Sequence, residues 1–253
     1  MNPDATGDGT IVQIVASLSS IRQFSSDQLY EADAVEIRLD LIPELTVEQV
    51  EDLISTYQGP IILTLRSHEE GGAFTGSVDA WQSKITPFLH LVTMVDVEIR
   101  YKEFSGYLKD QGKTVIASCH KNEMLSQGEL NTLYHVLRSF GDIPKIAVKP
   151  QDTADLLTLF QFTYSAGKPL IVSVTGTICR YARPLLPLFG SLYAYCYIDD
   201  PTSPGQYSLR EMRILFQLLA PGIIDTWFEG RPDQPDDPYL FSRPACKNGN
   251  QPE

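Results

Sequence analysis

Between residues 11 and 219, short β-rich runs alternate with longer stretches of helical period, eight times over at a spacing of about 25 residues. The runs are IVQIVAS (11–17), AVEIRLD (34–40), PIILTLR (60–66), LVTMVDVE (91–98), TVIASCH (114–120), PKIAVK (144–149), PLIVSVT (169–175) and SLYAYCYI (191–198). Between them lie segments such as TVEQVEDLISTY, SQGELNTLYHVLRSF and DTADLLTLFQFTYSA. The first opens on Thr46 with Gln49 three residues on, the pattern of a capping box. Strand–helix alternation builds a parallel sheet, and eight such units predict an α/β chain closed into a (β/α)8 TIM barrel. An open doubly wound sheet is the rival. No GxGxxG follows the first strand to support it.

The expected organisation is a flexible N-terminus over 1–10, a catalytic barrel over 11–220 and a Pro-rich tail over 221–253. The tail carries six prolines and little periodicity, so it is expected to be poorly ordered. A formal net charge of -12 argues against a nucleic-acid surface, while leaving room for a local basic pocket. No apolar run approaches the ~18 residues of a membrane span. The opening MNPDATGDGT has acids where a signal peptide needs basic residues, so a cytoplasmic protein is expected. Its four cysteines show neither CxxC pairing nor metal-ligand spacing, so no metal site or disulfide is expected.

In a barrel of this type catalytic groups sit at the C-terminal ends of the strands. Glu36, Arg38 and Asp40 close the second run, Arg66 the third, Asp96 and Glu98 the fourth, and His120 the fifth. Strand period two sets Glu36, Arg38 and Asp40 on one face and Val35, Ile37 and Leu39 on the other. The apolar set is expected to pack on the helices, leaving the charges inside the barrel mouth. An inward ion-pair network without chemistry is the alternative.

The same period places Lys145, Ala147 and Lys149 on one face of the sixth run, with Ile146 and Val148 on the other. Both lysines are expected to point inward, ~13 Å apart along the strand, too far to share one spot. Position alone favours Lys149, nearer the mouth. A lysine must be neutral to attack a ketone, and at an ordinary pKa of ~10.4 fewer than about one in 1,000 are neutral at pH 7. Burial among apolar residues with arginines nearby lowers such a value by ~3 units in general. The alternative is a lysine paired with a mouth carboxylate. The residues leave both readings open.

The segments EIRLD (36–40), LRSHEEGG (65–72), VDVE (95–98), SCH (118–120), PKIAVKPQ (144–151), FGS (189–191) and SPGQ (203–206) extend the pattern. In this order they resemble type I 3-dehydroquinate dehydratase, the Schiff-base lyase of the shikimate pathway, over about residues 11 to 219. The resemblance implies that Lys145 forms an imine with the C3 ketone of 3-dehydroquinate. His120 then corresponds to the general base that removes a C2 proton and later protonates the departing C1 hydroxyl. Glu70 resembles the carboxylate that orients the histidine. Glu36, Arg38 and Arg66 match residues that hold the ring hydroxyls, and Ser17 matches a serine ending the first strand. Arg183, seven residues before Gly190, matches the carboxylate clamp, and Thr202 and Gln206 fall in the closing loop. The resemblance further implies no cofactor, a small-molecule substrate and a homodimer.

There are departures from the family pattern. Methionines are usual near the end of the seventh strand, where this chain reads VSVTG, and Thr202 stands where serine is more usual. GTICRYAR offers Arg180 besides Arg183, and the spacing to FGS selects Arg183. His68 is expected in an exposed loop, and His90 and His135 in structural helical segments. Two other functions fit a barrel with an interior lysine. A class I aldolase or transaldolase wants a Gly-rich phosphate loop after the seventh or eighth strand, where this chain has PTSPGQ. A decayed barrel kept for binding would have lost the lysine or the histidine.

Overall fold

Thr46 Oγ1 accepts the backbone N–H of Gln49, and Gln49 Oε1 accepts that of Thr46, so helix α1 (Val47–Thr56) starts where the capping box sets it. Ser126 and Glu129 do the same for α4 (Gln127–Arg138), and the Asp152 side chain caps α5 (Thr153–Ser165). The computed structural model describes residues 12–220, so the expectations for 1–10 and 221–253 lie outside the described residues. The remaining helices are α2 (Val78–Ile85), α3 (Ser105–Asp110), α6 (Ala182–Leu185) and α7 (Leu209–Leu219). The strands are β1 (Gln13–Leu18), β2 (Ala34–Arg38), β3 (Ile61–Thr64), β4 (Met94–Glu98), β5 (Thr114–His120), β6 (Ile143–Val148), β7 (Ile171–Val174), β8 (Tyr193–Tyr197) and β9 (Tyr207–Ser208).

All ladders are parallel, in the order β7-β6-β5-β4-β3-β2-β1-β8-β9, which is an α/β barrel of the TIM type. The seam between β7 and β8 is closed without a ladder. Leu192 N–H reaches Leu170 O at 2.8 Å, and the buried Ser191 Oγ accepts Val172 N–H at 2.9 Å and donates to Val172 O at 3.1 Å. Toward the C-terminal end of β8 the short β9, which the sequence pattern does not suggest, takes up the free edge. The connection from β1 to β2 also differs from expectation. It holds two short 3-10 turns rather than an α-helix, because Ser20 and Ser26 each start a new cap within a few residues.

Alternation settles the two faces of the sheet. Ile37 and Leu39 face outward into a cluster with Val50 and Leu53 of α1, and Ile146 and Val148 into another with Leu156 and Phe162 of α5. Each such side chain contributes roughly 1.5–3 kcal/mol when fully buried. Inward, one residue from each of the first eight strands fills the N-terminal end of the barrel. These are Val15, Ala34, Ile62, Met94, Ile116, Ile143, Ile171 and Tyr193. Two residues further along, the inward positions turn polar: Ser17, Glu36, Thr64, Asp96, Ser118, Lys145 and Ser173. The core therefore ends where the candidate site begins.

Candidate active site

The ten residues singled out from the sequence all line one cavity of about 220 Å³: Ser17, Glu36, Arg38, Arg66, Glu70, His120, Lys145, Arg183, Thr202 and Gln206. Strands β1, β2, β5 and β6 deliver Ser17, Glu36, Arg38, His120 and Lys145. Arg66 lies just past β3 and Glu70 in the turn after it, Arg183 lies in α6, and Thr202 and Gln206 lie between β8 and β9.

Arg66 is the hub of the floor. Its guanidinium donates to Asp96 Oδ1 at 2.8 Å, Glu98 Oε1 at 2.9 Å, Ser118 Oγ at 3.0 Å and Glu70 Oε2 at 3.2 Å. Burial works against its charge, but Asp96, Glu98, Glu70 and Glu36 more than reverse this and hold its pKa well above the ordinary value. Burial likewise opposes charge on Asp96, yet Arg66 and Lys145 hold that carboxyl well below the usual range. Arg38 grips Asp40 through two bonds of 2.9 and 2.8 Å. Asp40 lies just past the end of β2 and also accepts the Ala73 N–H at 3.1 Å, anchoring the loop that carries Glu70. The inward ion-pair network is thus present, and it lies within the candidate site.

Lys145 takes the second of the two settings the sequence leaves open, that of a lysine paired with carboxylates. Its Nζ donates to Asp96 Oδ2 at 2.9 Å, stands 3.5 Å from Glu36 Oε1 and lies 4.0 Å from the centroid of the Tyr195 ring. The apolar neighbours Ile146 and Val148 face the helices, so strand parity leaves carboxylates and one aromatic face around the amine. Glu36 is itself fixed by Ser17 Oγ at 2.6 Å and Thr64 Oγ1 at 2.9 Å. Lys149, nearer the mouth, is half-buried and forms no ion pair among the described residues. The carboxylates sit deeper, at the level of Lys145.

His120 ends β5. Its Nδ1 lies 2.9 Å from Glu70 Oε2, and its backbone N–H reaches the same oxygen at 3.0 Å. Glu70 is brought there by a 3-10 turn, His68–Glu70, that closes on Gly71 at φ 83, a left-handed conformation that favours glycine. Nδ1–H donating to the carboxylate leaves Nε2 as the free base. Burial, then Arg66 and Lys145, push the imidazole well below its ordinary pKa, so the ring is neutral at pH 7. Burial raises Glu70 to about 7, with Arg66 opposing and Glu98 and Asp96 adding to the rise. His68 is exposed, as are His90 and His135.

At the mouth, the buried Arg183 donates from Nη2 to Pro204 O at 3.3 Å and Ser203 Oγ at 3.4 Å, while its Nε has no partner. Burial and the neighbouring Arg180 lower its pKa to about 10. Gln206 Oε1 accepts from Thr202 N at 2.9 Å and Thr202 Oγ1 at 3.0 Å, so threonine supplies the hydroxyl the loop needs. Arg180 does not line the cavity; its guanidinium stacks 4.0 Å from the Tyr207 ring centroid. The loop is drawn tight at Gly205, where a Cβ would stand 2.1 Å from Gly176 O.

Sequence reasoning noted Asp96 and Glu98 as strand-end charges without assigning them a role, and it passed over Thr64, Ser118, Ser173 and Tyr195. Parity was the available signal for Thr64 and Ser118, which lie two residues before Arg66 and His120; no such recognised neighbour marks Ser173 or Tyr195. Tyr195 is the hardest to see, because YAYCY reads as a plain aromatic strand.

A family model described as Type I 3-dehydroquinase matches residues 12–222. The 3-dehydroquinate dehydratase of Methanospirillum hungatei JF-1 is 51% identical over 227 residues, covering 90% of this chain and 89% of that protein. That of Methanoregula boonei is 42% identical over 209 residues, covering 83% of this chain and 100% of that protein. Among solved structures, the 3-dehydroquinate dehydratase from Geobacillus kaustophilus HTA426 superimposes with a TM-score of 0.75 at 21% identity, covering 85% of this chain and 92% of that one. At that identity the superposition speaks for the fold.

Proposed function

Because the chain belongs to the type I 3-dehydroquinase family, we propose that Lys145, His120 and Glu70 perform its reaction, the dehydration of 3-dehydroquinate to 3-dehydroshikimate in the shikimate pathway. The observation that carries this assignment is that an inward lysine and a carboxylate-oriented imidazole line the same cavity. The Lys145 amine attacks the C3 ketone, and loss of water leaves an iminium bonded through Nζ. The iminium draws electrons from C2, and His120 Nε2 takes the C2 proton to give an enamine. The enamine expels the C1 hydroxyl, which leaves as water with the proton His120 returns. Water then hydrolyses the conjugated imine, releasing 3-dehydroshikimate and the amine. Glu70 holds the ring through Nδ1 throughout.

In this reading the substrate's other groups also find partners in the cavity. Arg183, whose Nε has no partner, takes the carboxylate, and Glu36, Arg38 and Arg66 take the ring hydroxyls. Ser17, Thr202 and Gln206 add hydroxyl and amide contacts. Residues 11–220 form the catalytic barrel in this reading, and it works in the cytoplasm as a homodimer without metal or cofactor. No helix among the described residues is long and apolar enough to cross a membrane.

The test is an ultraviolet assay for the conjugated enone acid, followed by borohydride during turnover. The adduct is expected on Lys145, and Lys145→Met should lose nearly all activity. An adduct on Lys149, or none on any lysine, would overturn the assignment.

A further inference from the structure

Lys149 lies one residue past the end of β6, and it lines the same cavity as Lys145, His120 and Arg183. Its stem lies along Gly176, where a Cβ would stand 3.4 Å from Lys149 Cε and 3.5 Å from Cγ. Gly176 O in turn is the surface on which Gly205 packs, and Gly205 follows Pro204, whose carbonyl receives Arg183 Nη2. Lys149 and Arg183 therefore stand on one wall of the mouth. The charges on that wall differ from those of the floor. Arg38, Arg66 and Lys145 each face carboxylates. Among the described residues Lys149 has no ion pair, and Arg183 bonds only to neutral oxygens. Two cations without a counter-charge, in a chain of net charge -12, mark the wall for an anion.

We propose that Lys149 is a specificity-determining residue, supplying a second positive charge to the substrate's carboxylate beside Arg183. The proposal rests on the functional reading above, since it takes the ligand to be a carboxylate. Arg183 provides the fork that orients the group, and Lys149 the flexible point charge that favours a charged acid over a neutral ester or amide. Half-burial sets the scale, since a partly solvated ion pair is worth about three- to tenfold in affinity.

Lys149→Met keeps the stem on Gly176 and removes the charge. Its KM should rise about three- to tenfold with kcat within about twofold of wild type, and Lys149→Arg should restore KM. A ring carboxylate competitive inhibitor and its carboxamide, titrated by calorimetry, give a readout independent of turnover. Lys149→Met should weaken the carboxylate by the same factor and leave the carboxamide unchanged. Equal carboxylate affinity in wild type and Lys149→Met would overturn the proposal while the function stood. So would a loss confined to kcat. Absence of turnover in the wild-type chain would instead remove the functional reading, and the proposal with it.

Discussion

Substituting Glu70→Gln isolates the charge that the mechanism places behind His120. Glu70 Oε2 alone receives all three donors: His120 Nδ1 at 2.9 Å, His120 N at 3.0 Å and Arg66 Nη1 at 3.2 Å. One glutamine oxygen can serve the same three, so the geometry survives and only the charge is lost. That charge matters when the imidazole takes the C2 proton and becomes an imidazolium. An imidazolium and a carboxylate at about 4 Å between charge centres gain up to about 4 kcal/mol at an effective dielectric of ~20. Arg66 already draws on the same carboxylate, so a loss of about 10²- to 10³-fold in kcat is expected at pH 8, with KM little changed. The pH dependence supplies the sign. Burial raises the Glu70 carboxyl to about 7, so below that pH it holds a proton and offers the imidazolium no counter-charge. Wild-type kcat should therefore rise through pH 7. Glu70→Gln should stay flat there, and the gap should narrow by about tenfold at pH 6, where roughly a tenth of the carboxyl is ionised. The enone absorbance followed from pH 6 to 9 measures both. A variant within threefold of wild type at pH 8, or one that kept the rise through pH 7, would refute the role given to Glu70.

Arg183→Ala should raise KM by about 30-fold or more, since loss of a desolvated charged partner costs roughly 2–5 kcal/mol. Arg180→Ala, which loses its stack on Tyr207 outside the cavity, should do much less; the reverse order would place the clamp on Arg180. Ser191→Ala removes the hydroxyl that bridges β7 and β8 and leaves the buried Val172 N–H without its acceptor, a cost of about 2 kcal/mol. Calorimetry should show a Tm lower by about 4–8 °C; an unchanged Tm would show that the seam closes without Ser191.

The barrel was legible because its signals are local and repeated. Capping residues such as Thr46, Ser126 and Asp152 fix helix starts, and alternation sorts Ile146 and Val148 from Lys145 within one strand. The β1–β2 turns and the two-residue β9 were not, since neither carries enough periodic apolar residues to register as an element. Strand parity also set Glu36, Arg38 and Lys145 facing inward, but it is silent on which groups meet, and Ser17, Glu70, Arg183, Thr202 and Gln206 were reached only through the family resemblance. Lys145 and Asp96 are 49 residues apart in sequence and 2.9 Å apart in space, a pairing between β6 and β4 made across the barrel interior past the intervening β5. Choosing between Lys145 and Lys149 from position alone went to the mouth, where water is nearest. The family motif selected the deeper lysine, the one held by carboxylates.

Carboxylates around a nucleophilic lysine first look like an obstacle, because they favour the ammonium that cannot attack. The charge count along the reaction removes the difficulty. An ammonium and a protonated imine each carry one positive charge on the same nitrogen, and forming the C–N bond exchanges hydrogens for carbon without changing that charge. Asp96 at 2.9 Å and Glu36 at 3.5 Å therefore serve the iminium as they serve the free amine, and the Tyr195 face at 4.0 Å does likewise. Only the attack itself requires a neutral amine. An apolar pocket would help at that one moment and oppose every cationic intermediate that follows, at the several kcal/mol a buried unpaired charge costs. The floor is fixed in advance for the charge on nitrogen, which the iminium carries, the neutral enamine lacks, and expulsion of the C1 hydroxyl restores. Arg66 holds Asp96, Ser17 and Thr64 hold Glu36, and none of these groups needs to move as the bonds change.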